Sequence, residues 1–236
     1  MRNHPATDPV VVGGITPLTT IDYPGELAAV LFLQGCPWRC RYCQNGALIA
    51  RKTGETLSWR RVIELLARRG KLLDAVVFSG GEPLVHAGLG NAMLQIKAMG
   101  FKIGLHTAGI YPRRLQRILP LIDWIGMDVK ARREDYADIT GARGSASRAW
   151  QSIEMIVQGG IAHEFRTTVH PKLLSKVQLD GLANELRAVV AKSWVIQACI
   201  AERCLDENLR HRAAAKPGAE FYRQYADRFE HFVLRQ

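Results

Sequence analysis

From Ala28 onward the chain alternates short apolar or β-branched runs with longer segments of helical period, and this alternation is the strongest constraint on its fold. A parallel strand buried on both faces reads as a short, nearly continuous apolar run, and the chain needs a crossover, usually a helix, before it can add the next one. Strands are predicted at residues 28–33, 75–78, 102–106, 124–128, 163–169 and 194–198, and helices at 58–69, 89–99, 112–119, 147–158 and 178–191. In the first of these helices Ser58 is a candidate N-cap, Trp59, Val62, Ile63 and Leu66 share one face, and Gly70 is a candidate left-handed stop. Six such βα repeats fit an open doubly wound sheet or a partial barrel equally well. In either architecture ligands gather at the carboxyl ends of the strands. Past Cys199 the period is lost until a final predicted helix over 218–233. The reading is one α/β domain, with a core over 13–200 followed by a C-terminal loop and helix over 201–236.

Composition narrows the setting. The 236 residues are 47% hydrophobic and 23% charged, a balance that supplies a globular core. The longest apolar stretch, residues 27–33, is too short to cross a bilayer, and residues 1–10 contain no apolar signal segment, so a cytoplasmic location is expected. Three of the five cysteines fall between positions 36 and 43, a spacing that suits a metal site in a reducing compartment better than a disulfide framework. The net charge of +10 includes Arg-Arg pairs at 60/61, 68/69, 113/114 and 132/133. These pairs fall mostly on predicted helices, which favours solvated faces over docking on an acidic protein or a nucleic acid.

The sharpest local signal is Gly35-Cys36-Pro37-Trp38-Arg39-Cys40-Arg41-Tyr42-Cys43, which gathers three thiols at a strand end. Soft thiolates suit iron–sulfur clusters and zinc. Structural zinc almost always takes four protein ligands, so zinc here needs a remote His, Cys199 or Cys204. A cubane cluster held by three cysteines instead keeps one iron open to a ligand. Three further groups follow successive strands: Ser79-Gly80-Gly81-Glu82-Pro83, Thr107-Ala108-Gly109 and Asp128-Val129-Lys130.

The cysteine loop with Tyr42 before its last cysteine, followed by Gly80-Gly81-Glu82-Pro83, resembles the radical S-adenosylmethionine (SAM) superfamily. Asp22-Tyr23-Pro24-Gly25, Cys43-Gln44-Asn45 and Asp128-Val129-Lys130 resemble glycyl-radical-enzyme activases, above all those that activate anaerobic ribonucleoside-triphosphate reductase. The resemblance runs from about Gly13 to Gln197 and implies a partial (β/α)6 barrel. It implies that Cys36, Cys40 and Cys43 hold a 4Fe–4S cluster, and that Glu82 accepts from the SAM ammonium while Gly80 and Gly81 permit close backbone approach. Tyr42 is then expected near the adenine, Lys130 and Arg166 at the carboxylate or ribose, and Thr107 and Asp128 along the pocket wall. Arg166 also reads as a strand-edge surface residue.

The implied reaction is reductive SAM cleavage to a 5′-deoxyadenosyl radical, which takes a hydrogen atom from a glycine of the anaerobic reductase. A low-potential donor supplies the electron, and neither a membrane nor a nucleic acid is expected as a partner. Alternatives are a pyruvate formate-lyase-type partner, a small deazapurine precursor, or a zinc-binding basic nucleic-acid module. His106 stands where such activases often carry an acidic cation ligand, and it also reads as a structural histidine at a strand end. Cys199 and Cys204 read as ordinary buried cysteines, two ligands being too few for a second cluster.

Overall fold

Runs such as Ala28-Ala29-Val30-Leu31 and Ala75-Val76-Val77-Phe78 are apolar at every position, and all eight of these side chains are buried. Such strands are stable only where both faces are covered. In the computed structural model, which describes residues 8–51, 54–70, 72–210 and 218–235, they lie inside one eight-stranded sheet. Its strands are β1 (Val12–Thr19), β2 (Ala28–Leu33), β3 (Ala75–Gly80), β4 (Lys102–Thr107), β5 (Trp124–Asp128), β6 (Ala162–Val169), β7 (Ser193–Ala198) and β8 (His231–Arg235). Every predicted strand is present.

The strand order is β1 through β8 without a reversal; β2 to β8 are parallel, and β1 runs antiparallel to β2. A doubly wound sheet must reverse its order at a switch point, and this one does not. Successive right-handed crossovers in a monotonic order carry all the helices to one face and leave the other as a lumen. The architecture is therefore a partial barrel, with β1 and β8 as its two edges.

The helices are α1 (Trp59–Ala67), α2 (Leu89–Ala98), α3 (Pro112–Ile118), α4 (Tyr136–Thr140), α5 (Ser145–Gln158), α6 (Lys176–Ala188) and α7 (Ala219–Arg223). Ser58 caps α1 by accepting from the Arg61 amide, and Ser175 with Gln178 forms a capping box on α6. The expected Gly70 stop is not used: α1 ends at Ala67, and Gly70 is absent from the glycines of positive φ. Between sheet and helices lies the main core, which includes Leu31, Phe78, Leu105, Met127, Phe165, Trp150 and Trp194. Fully burying an aliphatic or aromatic side chain of this kind contributes about 1.5–3 kcal/mol.

The C-terminal expectation is corrected. In place of a helix over 218–233 there is one short helix, α7, and then β8, which pairs with β7 from Ser193↔His231 to Gln197↔Arg235. Residues 231–235 have a period of two: Phe232 turns to Trp194 and Tyr225, and the intervening Val233 stays exposed. Strand β1 was not anticipated either; Gly13, Gly14 and Pro17 interrupt its pattern, and its pairing with β2 contains two register shifts. Among the described residues no helix is long and apolar enough to cross a membrane.

The lumen is floored by a second, smaller apolar cluster of Tyr23, Ala28, Val30, Ala75, Val77 and Trp124. Tyr23 packs on Trp124 at 5.2 Å between ring centroids. The Asp22-Tyr23-Pro24-Gly25 turn thus packs its tyrosine into this end of the lumen.

Candidate functional site at the carboxyl end of the sheet

The cysteine loop leaves β2 at its carboxyl end and is held on three sides. Gly35 and Cys36 donate to the carbonyls of Leu48 and Ile49, Arg39 and Arg41 donate to those of Thr140 and Ile139, and the Asp206 amide donates to Arg41. Trp38 is buried against Tyr136, which in turn packs edge-on against Trp150. The two residues after Cys43 act as hooks in opposite directions. Asn45 donates to the Gly80 carbonyl at the end of β3, and Gln44 donates to Cys199 Sγ just past β7.

Gly80 and Gly81 have a specific steric reason to be glycine. Gly80 sits at φ +115°, where a Cβ would lie 2.3 Å from both the backbone nitrogen and oxygen of Leu33; a Cβ on Gly81 would lie 2.5 Å from the Gly35 carbonyl oxygen. Gly80 approaches the last residue of β2 and Gly81 the first residue of the cysteine loop, and Gly81 N–H to Leu33 O and Glu82 N–H to Gly35 O, each 2.8 Å, close the junction. Glu82 continues the task. Its side chain has no exposed surface; Oε1 accepts from Leu84 N and Thr107 Oγ1, and Oε2 accepts from Ala108 N. Burial raises its pKa, and these three donors offset part of the rise. The carboxylate expected to meet an ammonium is thus engaged in tying the end of β3 to the end of β4. Thr107 is committed in the same way, to Glu82 and to the Gly109 amide.

The remaining predicted residues converge across β5 and β6. Asp128 Oδ2 accepts from Lys130 Nζ at 2.9 Å and Oδ1 from Arg166 Nε at 3.0 Å, and Arg166 also donates to the Gly126 carbonyl. Burial opposes charge on Asp128, but Lys130 and Arg166 outweigh it and hold the carboxyl far below its usual range. Burial likewise opposes charge on Lys130, and Asp128 outweighs it, so the ammonium persists. Lys130 Nζ lies 5.6 Å from the centre of the Tyr42 ring, which links this trio to the cysteine loop. The Tyr42 hydroxyl is buried without a hydrogen-bond partner, an orphan of the kind that a bound polar ligand satisfies. Arg166 is buried rather than lying on a strand-edge surface.

His106 is neutral. Its Nε2 bonds the Asp22 carbonyl at 2.8 Å and so carries the proton, which leaves Nδ1 to accept from Ser79 Oγ at 3.3 Å. Burial, reinforced by the nearby Arg166 charge, lowers its pKa to about 3. Both nitrogens are engaged, as expected of a structural histidine.

Three features of the site were not read from sequence. Gly126 makes room for the Arg166 guanidinium, whose carbon would lie 2.9 Å from a Cβ there. Tyr136 bonds the Lys130 amide through its hydroxyl. On the same strand as Arg166, Glu164 is gripped by Arg235 of β8 in a two-pronged pair at 2.8 and 2.9 Å. Glu164 had a usable signal, a charge two residues before Arg166 and so on the same strand face. Arg235 lies two residues beyond the helix expected over 218–233, where no strand is expected.

The thiols have the chemistry of an iron–sulfur donor set. Burial pushes Cys36 up to about 12, with Glu82 adding to the rise, and Cys40 up to about 11, with Lys130 pulling back. Without a metal they hold their protons, and a soft cation releases them. Among the described residues no three His, Cys, Asp or Glu side chains close around a single ion. A cubane asks for something else, since each thiolate holds its own iron. The three thiols, the orphaned Tyr42 hydroxyl and the Lys130 charge therefore fit a cluster with a polar organic ligand beside it.

Comparison with known proteins places this geometry. Residues 30–174 match the model of the Radical SAM superfamily, and the chain belongs to that superfamily. It is 30% identical over 190 residues to a putative glycyl-radical enzyme activating enzyme of Methanocaldococcus jannaschii, covering 75% of each chain. It is 28% identical over 186 residues to the pyruvate formate-lyase-activating enzyme of Clostridium pasteurianum, covering 75% of this chain and 76% of the other. Streptococcus suis SuiB bound to S-adenosylmethionine shares the fold, with TM-score 0.64 and 13% identity over 85% of this chain; the chain spans about half (48%) of SuiB. Membership of the superfamily carries with it SAM as cofactor, an iron–sulfur cluster and oxidoreductase chemistry.

Proposed function

We propose that this chain is a glycyl-radical-enzyme activase whose partner is an anaerobic ribonucleoside-triphosphate reductase. The observation that carries the reading is the incomplete ligand set: three thiols on one loop, packed backbone to backbone against the Gly80–Gly81 turn, facing a lumen lined by Lys130, Asp128 and Arg166. When bound, a reduced 4Fe–4S cluster and SAM together supply a 5′-deoxyadenosyl radical able to take a hydrogen atom from a glycine Cα.

Cys36, Cys40 and Cys43 would hold three irons. Lys130, kept charged by Asp128, offers a cation to a carboxylate, and Arg166 presents its guanidinium from the adjacent strand. The Tyr42 hydroxyl has its hydrogen bond still to make, and its ring and Lys130 form one wall. Glu82 and Thr107 act behind this surface, fixing the strand ends from which the pocket is built. The similarity to a putative glycyl-radical enzyme activating enzyme over three quarters of both chains supports a glycine-bearing protein as substrate. The comparable similarity to a pyruvate formate-lyase-activating enzyme supports a second partner of the same chemical class.

The test has two arms. After anaerobic reconstitution, Cys40→Ala should lose the cluster's visible absorbance and its SAM cleavage; retention of both overturns the ligand assignment. The wild-type chain with reductant, SAM and the reductase from the same organism should give a glycyl-radical doublet by electron paramagnetic resonance. A doublet with pyruvate formate-lyase alone moves the assignment to that partner.

A further inference from the structure

The two remaining thiols, which the chemistry above does not use, lie where β7 ends. Cys199 and Cys204 are both buried, and their Sγ atoms lie 3.4 Å apart, in van der Waals contact. A disulfide bond is about 2.05 Å, so the sulfurs are within about 1.4 Å of bonding distance. Their cover is thin: of residues 200–210 only Cys204 and Leu209 are buried. A segment with so little apolar burial opens locally at low free-energy cost, which admits small solutes.

The pair is also connected to the cysteine loop at two points. Gln44 Nε2 donates to Cys199 Sγ at 3.5 Å. Asp206, two residues past Cys204, donates its amide to the Arg41 carbonyl and accepts from Arg41 Nε, both at 2.9 Å. Arg41 and Gln44 flank Tyr42 and Cys43 in the chain.

We infer that Cys199 and Cys204 form a modification site, a dithiol that hydrogen peroxide converts to an intrachain disulfide, and that the disulfide loosens the anchoring of the loop over 39–45. We assign Cys199 as the attacking sulfur because its Sγ faces the Gln44 amide donor, whereas the Cys204 Sγ–H points to the Ile200 carbonyl. The Cys199 thiolate displaces hydroxide from the peroxide; the sulfur loses two electrons to the broken O–O bond and becomes a sulfenic acid. Cys204 then attacks it, forming the S–S bond and breaking the S–O bond, and the departing hydroxide leaves with the Cys204 proton as water. Two thiols and one peroxide give one disulfide and two waters. Burial, with the contact to Cys199 adding, raises the Cys204 thiol, so Cys204 carries the proton that leaves with the hydroxide. Drawing the sulfurs together pulls Cys199 from Gln44 and shifts the turn that carries Asp206. The step does not depend on what the loop binds.

The experiment is a peroxide titration of the anaerobically purified full chain, followed by alkylation, digestion and mass spectrometry, with hydrogen exchange measured on the same samples. A Cys199–Cys204 crosslink, 2 Da lighter than the dithiol, should appear before any crosslink involving Cys36, Cys40 or Cys43. Exchange over residues 39–45 should rise by at least about threefold and return on reduction with dithiothreitol. Cys204→Ser should stop at a sulfenic acid on Cys199 that dimedone captures. If the loop cysteines oxidise while the pair stays reduced, the site is wrong. A crosslink with unchanged exchange over 39–45 removes the coupling to the loop.

Discussion

His106 should make the fold lose stability below neutral pH, by an amount that its surroundings set. The ring is buried, spends Nε2–H on the Asp22 carbonyl and Nδ1 on Ser79, packs on Trp124, and lies in the field of Arg166. Its folded pKa falls from the ordinary 6.5 to about 3. Between those values the unfolded chain binds a proton that the folded chain refuses, so stability rises with pH across this window and falls on acidification. At one pKa unit per 1.36 kcal/mol, almost nothing is lost at pH 7.5, about 2 kcal/mol at pH 5, and about 5 kcal/mol once pH falls below 3. His106→Gln is the matched control, because an amide can donate to Asp22 and accept from Ser79 without titrating. Urea denaturation of both proteins at pH 7.5 and pH 5.0 isolates the term, since the other histidines are common to both. The wild type should lose about 2 kcal/mol more than the variant between the two pH values. Equal losses would refute the neutral, doubly bonded ring.

Two further perturbations probe how the site is held. Gly81→Ala places a Cβ 2.5 Å from the Gly35 carbonyl oxygen, so the two loops must separate and strain their paired 2.8 Å hydrogen bonds. Overpacking and weakened hydrogen bonding together should cost about 2–4 kcal/mol, read as a fall of about 5–15 °C in the thermal midpoint; a shift within about 1 °C contradicts the close approach. Arg235→Ala leaves the buried Glu164 carboxylate without its fork. A double-mutant cycle with Glu164→Ala should give a coupling of about 1–3 kcal/mol, the range reduced because Arg235 keeps 36% of its side-chain surface; a coupling near zero means the pair does not hold β8.

Strand runs and helix periods were legible because they are local: six apolar runs and the Ser58 cap name their elements without knowledge of any neighbour. The choice between doubly wound sheet and barrel was not legible in the periodicity, since it lies in strand order, which depends on which strands pair. The tail was misread because residues 218–233 contain enough apolar residues to mimic a helix, while the contacts that make β8 a strand are with Trp194 and Tyr225. The cysteine loop was visible because its three thiols are close in sequence. The Arg235–Glu164 pair spans 71 residues and leaves no such trace.

The Gly80-Gly81-Glu82 turn shows how a motif read as ligand-binding can act through the scaffold. A donor set on a flexible loop would spend ligand affinity on ordering that loop. Here the ordering is built into the fold: Gly80 lies against the end of β2 and Gly81 against the start of the loop, Asn45 reaches back to Gly80, and Glu82 fastens the assembly to β4 at Thr107 and Ala108. Swinging the side chain at position 82 out of this place would release the Leu84, Thr107 and Ala108 donors and loosen the ground on which the cysteines stand. The requirement for a buried carboxylate at this position is therefore as strong for holding the site as for contacting what binds there. Beside this turn the next strands present the charges of Lys130 and Arg166, both paired with Asp128.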